Sequence, residues 1–206
     1  MFRLLCLLLG LSLPVTCFGL EIRRVAACSG VVLRLRGDIN AGDYVRFKSN
    51  FKTKETIIGL DLSSDGGDLG DGLRIAELVH KKQLKVYVSG ECNSGCAFIF
   101  FSAPHRFFAE ESRIGVHSVG DSREYEDPGS MLLTLKLARI SAKLGVPNSI
   151  IGKMVTTRPA TISYLDQADL SALDASAGNP FDFKSETQAE AGRNCTSTKE
   201  ARKGLE

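Results

Sequence analysis

Ser94 occupies a position in the sequence where a nucleophile is often placed. A β-prone run at residues 84–88 leads into a short polar turn, and an apolar run resumes at Ala97. A serine at such a strand-to-helix turn can project its hydroxyl into a cleft, while the free N–H groups at the start of the helix point at a developing oxyanion. A serine that only caps a buried helix gives the same local pattern. The rest of the chain has to separate these two interpretations.

A glycine-rich loop follows another predicted strand. Residues 57–62 are largely apolar, which is typical of a central strand that is covered on both faces. Gly66 and Gly67 permit positive φ or a close approach of a ligand, and their N–H groups can form an anion-binding nest. No lysine follows in the pattern of a phosphate-binding loop. The loop is therefore a candidate for binding a carbonyl oxygen or another anion.

Two other uses of this loop stay open. Asp65, Asp68 and Asp71 are possible calcium ligands, but they lack the spacing and the final glutamate of an EF-hand loop. A plain connection without function also fits the composition.

His117 is the candidate base. It ends the short predicted strand within residues 113–118, whereas His80 at a helix end and His105 beside Pro104 fit solvent-facing or capping positions. Imidazole titrates in the range that general-base chemistry needs. A lone histidine is more often structural, so the value of His117 depends on where its strand ends.

Two successive strand–helix–strand units position these residues. Strands at 31–36, 57–62 and 84–88 alternate with helical patterns, which predicts a parallel sheet in a layered α/β fold. Ligand clefts of such folds lie beyond the C-terminal ends of the strands. We therefore expect Ser94, the glycine loop and His117 to line one rim.

The second half of the chain is mainly helical. Residues 119–130 predict a polar loop over the cleft, residues 131–144 an amphipathic helix with a wide apolar face, and residues 148–155 a further helix. A capping box from Ser163 to Asp166 predicts a last short helix.

The predicted organisation is a signal peptide at residues 1–19, one domain at residues 20–175 and a loose polar tail at residues 176–206. The first residues contain one early arginine and a short apolar run, and no later stretch is long and uncharged enough to span a membrane. We expect an exported, periplasmic or extracellular protein, with a lipid-anchored Cys17 as the weaker alternative. Without residues 1–19 the chain has 25 basic and 24 acidic residues, which suggests neither nucleic acid nor an anionic membrane as partner.

Four cysteines follow the predicted cleavage site, and disulfides are plausible in an oxidising compartment. Three pairings are possible. We favour Cys92–Cys96 around Ser94 and Cys28–Cys195 between the two ends of the chain. A zinc site competes, but a single Cys-x3-Cys without a second pair is weak evidence for a metal.

Three segments together resemble the Clp proteolytic subunits, within the ClpP/crotonase group that also contains the signal-peptide peptidases. They are D-L-S-S-D-G-G at 61–67, the G-x-x-x-S segment at 90–94 that opens an apolar helix, and I-G-V-H-S at 114–118. They occur in the family's order, and the resemblance covers about residues 31–174. It implies a layered fold whose mainly parallel sheet is built from repeated ββα and βαβ units. The two cysteines around Ser94 resemble an exported branch of the group.

By this resemblance Ser94 is the nucleophile, His117 the general base, and the N–H groups of Gly67, Asp68 and Gly95 the oxyanion hole. The family's catalytic acid has no counterpart, because Pro159 or its neighbours stand where an aspartate is expected. Alternatives for holding the imidazole are Asp166, Thr157 or Thr161, and a backbone carbonyl. A Ser–Lys dyad with Lys136, Lys143 or Lys153 is the signal-peptide-peptidase variant.

The resemblance favours an exported serine peptidase that acts on peptides or unfolded protein segments without ATP, metal or other cofactor, and that forms a homo-oligomer. The alternative is a non-catalytic crotonase-like domain that binds a peptide or serves in assembly. Acyl-CoA chemistry is a third and poorer choice, because an exported protein does not normally meet that cofactor.

Overall fold

The computed structural model describes residues 19–121, 123 and 125–183. The elements in chain order are β1 (Glu21–Ala27), β2 (Gly30–Arg36), α1 (Asp43–Ser49) with a 3-10 turn (Asn50–Lys52), β3 (Ile57–Ser64), α2 (Leu69–Lys82), β4 (Lys85–Asn93), α3 (Gly95–Ser102), β5 (His105–Phe108), β6 (Arg113–Val116), α4 (Pro128–Lys143), α5 (Asn148–Thr156), β7 (Ser163–Tyr164), α6 (Gln167–Ala172) and β8 (Ala175–Ala177). The predicted α/β class is confirmed.

The sheet is mostly parallel. Its strands lie in the order β1-β2-β3-β4-β5-β8, with β6 and β7 branching from β4. Among the described strands, β1 with β2 and β6 with β7 form antiparallel pairs, and all other pairs are parallel. Parallel neighbours need crossover connections, which α1, α2 and α3 supply. The predicted layered architecture is confirmed.

The division of β4 between two partners positions the site. Residues 85–88 pair with β5, whereas residues 91–93 pair with β6. The change occurs at Gly90, where a Cβ would lie 2.6 Å from the hydroxyl oxygen of Ser63. The end of β4 therefore turns towards β6, and the residues that follow the two strands meet at one edge.

The main hydrophobic core supports this edge. All eight residues of α3 are buried, as its apolar sequence predicts. Burial of a large side chain such as Phe100 or Phe101 stabilises the fold by about 1.5–3 kcal/mol. The residue that precedes α3 is therefore attached to a rigid support.

The fold extends beyond the predicted end of the domain. The sequence predicts a loose tail from residue 176, but β8 pairs with β5 and Phe181 is buried on the outer face of the sheet. A Cβ at Gly59 would lie 2.4 Å from the Phe181 ring, so this glycine forms the slot that accepts the ring. One aromatic anchor within a polar segment gives no periodic signal. Residues 184–206 lie outside the described residues.

Two further elements differ from the sequence prediction. The predicted strands do not include β1, of whose seven residues only one is buried and which lacks a strong apolar alternation. The predicted capping box at Ser163 and Asp166 is also wrong, because the actual box lies three residues further along the chain. The box that starts α6 joins Asp166 to Asp169, and Ser163 pairs with Val116 of β6 instead.

Candidate active site

Ser94 lies between the last residue of β4 and the first residue of α3. Its backbone has φ 53° and ψ −120°. Residues with a side chain adopt such a conformation at a cost of about 1–3 kcal/mol. A capping serine has an extended backbone and accepts a bond from the second or third helical amide, but the Ser94 side chain makes no capping bond. The geometry favours a displayed hydroxyl over an N-cap.

Three neighbours hold this turn. Cys92 and Cys96 form a disulfide across it, with Cα atoms 5.1 Å apart, which confirms the pairing favoured from the sequence. The Ser94 N–H donates to the Gly115 carbonyl of β6 at 3.0 Å. Gly66, with φ 98°, packs so closely that a Cβ there would lie 2.8 Å from the Ser94 Cβ. The strained conformation is therefore fixed from both sides.

The second predicted disulfide lies partly outside the described residues. Cys28 is disulfide-bonded, and Cys195, its predicted partner, lies beyond residue 183. That pairing stays a prediction.

The backbone amides beside Ser94 differ in availability. The strand-like bridge between Ile39 and Gly67 uses the Gly66 carbonyl and the Asp68 N–H, which donates to the Ile39 carbonyl at 2.7 Å. The Asp68 amide is therefore occupied, in contrast to the prediction that it belongs to the oxyanion hole. This bridge leaves the Gly67 N–H unused, and the Gly95 N–H begins α3, where helical amides have no intrahelical partner. A Cβ on Gly95 would lie 3.9 Å from the Gly67 nitrogen, so these two residues adjoin.

His117 follows the last residue of β6, as predicted. Its Nδ1 lies 2.7 Å from the carbonyl oxygen of Ser118. Because a carbonyl oxygen only accepts, Nδ1 carries the proton and Nε2 is left with a lone pair. His117 and Ser94 line the same cavity, yet no hydrogen bond joins them among the described residues. Catalytic hydrogen bonds are often long before substrate binds.

The backbone beside His117 is firmly held. Ser118 is buried, its N–H donates to the Thr157 carbonyl at 2.9 Å, and its hydroxyl donates to Glu126 at 2.6 Å. The next amide, of Val119, donates to the Thr134 hydroxyl at 2.9 Å. The carbonyl that orients the imidazole therefore has little freedom to move. Sequence reasoning missed Ser118 and Glu126, because a serine beside a histidine carries no distinctive signal.

The structure gives Asp166 another task than orienting His117. Its carboxylate accepts the Asp169 N–H at 2.9 Å as the N-cap of α6 and pairs with Lys153 at 2.9 Å. The backbone bond from Asp169 and the bond from Lys153 both lower the pKa of Asp166. Of the sequence alternatives, a backbone carbonyl therefore holds the imidazole, and it belongs to Ser118. Pro159 lines the cavity beside His117.

Lys153 does not serve as a base for Ser94. Its ammonium binds both Asp169 and Asp166, and these bonds, the one to Asp169 first, raise the pKa of the Lys153 amine. A Ser–Lys dyad needs a neutral amine. Lys136 and Lys143 are exposed on α4 and line none of the cavities at Ser94.

Two adjoining cavities meet at the candidate site. Both are lined by Gly67, Ser94, His117, Gly120 and Asp121. The larger, of about 500 Å³, adds Asp65, Pro159, Ala160 and Ile162. The smaller, of about 330 Å³, adds mainly apolar side chains, among them Leu69, Phe98 and Leu137. The predicted common rim is therefore one cleft with a polar half and an apolar half.

The aspartates of the glycine loop have separate tasks. Asp68 caps α2 by accepting the Asp71 N–H at 2.8 Å, and Asp71 is buried and accepts the Gly42 and Tyr44 amides. Asp65 alone among the three lines the cleft. Within the described residues no group of three or more metal-ligating side chains occurs. The described part of the chain also contains no helix long and apolar enough to cross a membrane.

Comparison with known proteins identifies the fold. No family model and no curated protein matches this chain. Among solved structures, ClpP1 from Listeria monocytogenes has a TM-score of 0.56 at 16% identity, covering 72% of this chain and 91% of that one. The fold is ClpP-like. A mutant of that ClpP1 has a TM-score of 0.55 at 18% identity, with coverage of 72% and 92%.

A second kind of ClpP-like structure also matches. A mutant of the 1510-N membrane-bound stomatin-specific protease has a TM-score of 0.54 at 16% identity, covering 72% of this chain and 79% of that one. The ClpP-like fold that the three sequence segments predict is therefore confirmed.

Proposed function

We propose that this chain is a serine peptidase that cleaves peptides or unfolded protein segments by acyl transfer, without ATP. The observation that carries the proposal is the uncapped Ser94 on its strained turn, which faces a cleft that it shares with His117 and Gly67. A serine with a purely structural role gains nothing that offsets the cost of this strained backbone conformation. The ClpP-like fold supports the proposal.

The chemistry assigns one task to each group. His117 Nε2 takes the proton from Ser94 Oγ as that oxygen attacks the scissile carbonyl carbon. The N–H groups of Gly67 and Gly95 stabilise the oxyanion, and His117 then gives the proton to the leaving amine as the peptide C–N bond breaks. Water repeats these steps on the acyl-enzyme and releases Ser94.

The Ser118 carbonyl stands where many serine hydrolases have a carboxylate. It keeps Nδ1 protonated and leaves Nε2 free to accept a proton, and its partial negative charge stabilises the imidazolium. A neutral carbonyl stabilises a cation less than a carboxylate does. We therefore infer a Ser–His dyad of modest rate.

A fluorophosphonate probe tests the peptidase. We expect the probe to label Ser94 of the folded wild type. Labelling should be lost in Ser94→Ala and strongly reduced in His117→Ala. It should be unchanged in Ser171→Ala, which removes an exposed hydroxyl from α6. Mass spectrometry of the labelled peptide locates the adduct. A wild type that is folded by circular dichroism but unlabelled refutes the proposal.

A non-catalytic domain that binds peptides or serves in assembly is the second candidate. The missing hydrogen bond between Ser94 and His117 in the described residues favours it. It predicts peptide binding that Ser94→Ala leaves intact, without labelling of the wild type.

We also propose that the chain is exported and forms a homo-oligomer. The Cys92–Cys96 disulfide supports an oxidising compartment. Residues 1–18, which contain most of the predicted signal peptide, lie outside the described residues. An exposed apolar face of α4, with Met131, Leu132 and Leu135, supports self-association.

A further inference from the structure

The polar half of the cleft is acidic. Its lining contains the carboxylates of Asp65 and Asp121 and neither lysine nor arginine. These carboxylates lie in the same cavity as Ser94 and His117. Any substrate bound to the proposed nucleophile is therefore exposed to their field.

The two carboxylates are not equivalent. Asp121 pairs with Arg123 at 2.9 Å and accepts the Arg123 and Tyr125 amides, and these contacts, the Tyr125 amide first, lower the pKa of Asp121. Asp65 accepts one bond, from the Asn93 amide at 2.9 Å, and has no basic partner within the described part of the chain. The charge of Asp65 is therefore available to a ligand.

Asn93 ties this charge to the nucleophile. It is only 4% exposed and immediately precedes Ser94. Its Nδ2 donates to Asp65 at 2.9 Å and lies 3.3 Å from Glu91, which is itself paired with Arg113. Its Oδ1 is buried without a partner among the described residues. Rotating the amide would place that oxygen against two carboxylates, which repel it. The Asn93 side chain therefore keeps one orientation, in which Nδ2 donates to Asp65 and fixes the position of the Asp65 carboxylate.

We propose that Asp65 binds a cationic group of the peptide substrate and gives the enzyme a preference for basic peptides. This specificity rests on the proposed peptidase function. The cation is a lysine or arginine side chain, or the ammonium of a free N-terminus, since both offer the same charge to a carboxylate. A partly exposed ion pair of this kind changes kcat/KM by roughly fivefold.

Matched peptides test the assignment. Each carries lysine, norleucine or glutamate at one position near the scissile bond, with a free or an acetylated N-terminus, and is cleaved in the presence of EDTA. We expect the wild type to prefer lysine over norleucine, or free over acetylated ends, by about fivefold at low salt, and less at high salt because the pair is screened. The two arms distinguish the two sources of the cation.

Charge-neutralising variants locate the effect. We expect Asp65→Asn to bring the preference close to one, Asp121→Asn to reduce it less because Arg123 already neutralises that group, and Glu77→Gln, an exposed charge on α2, to leave it unchanged. A preference that survives in folded Asp65→Asn overturns the assignment, as does an active wild type without any preference.

Binding to Ser94→Ala separates this proposal from the peptidase. Fluorescence anisotropy with the same peptides measures their affinity for the proposed cation-binding subsite in the absence of turnover. A cation preference in binding, without probe labelling of the wild type, supports the subsite and refutes the peptidase. The absence of a preference in both binding and cleavage refutes the subsite.

Discussion

At the scale of the residue, the backbone conformation of Ser94 lowers the stability of the fold and places its side chain in the cleft. Its positive φ is unfavourable because it has a Cβ, and the neighbouring Gly66 has to be glycine because a Cβ there would lie 2.8 Å from that of Ser94. Strain that persists at a cavity is a sign of function.

Removing the Cβ of Ser94 should relieve this strain. We expect Ser94→Gly to be more stable than Ser94→Ala by about 1 kcal/mol in urea unfolding, because glycine adopts positive φ freely. At Ser171, inside α6, the order should reverse by about the same amount, because glycine is a poor helix former. Equal stabilities of the two Ser94 variants would contradict the assigned strain.

A carboxylate at the position of Pro159 should strengthen the dyad. Pro159 lines the cavity with His117, and a negative charge there stabilises the imidazolium formed during attack. We expect Pro159→Asp to raise the rate of fluorophosphonate labelling about tenfold. Pro159→Asn is the matched control, because it has the same shape without the charge. Equal rates in the two variants would show that His117 is out of reach of this position.

The sequence predicts Ser94 and His117 but not how they are held. Ser94 is recognisable because a strand, a polar turn and an apolar helix are consecutive in the chain. The partners of Asp68 and His117 are not, since the Asp68 amide binds Ile39, far upstream, and the imidazole binds a carbonyl, which every residue possesses. Local patterns reveal side chains with unusual chemistry and miss backbone partners that only the fold brings together.

At the scale of elements, the disulfide joins the end of β4 to the first turn of α3. Both sulfur atoms belong to buried residues, and the loop that they close is short. A short loop gains about 2 kcal/mol in the chain-entropy model. The stronger effect is local, because the closed loop contains the strained residue.

Removing the disulfide should therefore affect the site more than the fold. We expect Cys92→Ala/Cys96→Ala to lose about 2 kcal/mol of stability and to label with the fluorophosphonate probe at least tenfold more slowly, while its circular dichroism spectrum is retained. Wild type treated with a reductant is a weaker comparison, because Cys28 is disulfide-bonded as well. Labelling at the wild-type rate would show that Gly115 and Gly66 are sufficient to hold the turn.

Errors in the sequence prediction of elements have one physical origin. Ser163 with Asp166 and Asp166 with Asp169 both have the spacing of a capping box, and the choice between them depends on the pairing of Ser163 with β6. β1 likewise depends on its pairing with β2. Contacts between distant segments decided both cases.

At the scale of the whole molecule, α4 is oriented unusually for a surface helix. Its buried residues are Ser130, Thr134, Leu137 and Ser141, whereas Met131, Leu132 and Leu135 are each more than half exposed. An amphipathic helix normally buries its apolar side. The sequence predicts the wide apolar face of this helix but not that part of it points outward, because periodicity does not say which side meets the sheet.

Charges on this face should disrupt the proposed homo-oligomer. We expect Leu132→Glu/Leu135→Glu to convert the assembly to a smaller species in light scattering after size exclusion, because buried carboxylates without partners oppose association. Val45→Glu is the control, because it replaces an exposed apolar side chain on a different helix, α1. This variant should keep the wild-type mass. A wild type that is monomeric at high concentration would contradict this assignment.

The slot at Gly59 has a consequence for the order of folding. The small outer cluster, with Val32 and Tyr87, is completed by Phe181, close to the end of the described chain. Because Phe181 packs with Val32 and Tyr87, this cluster on the sheet face stays incomplete until the segment that contains Phe181 has been made. A chain that ends before β8 would therefore leave the slot at Gly59 empty and this apolar cluster open to solvent.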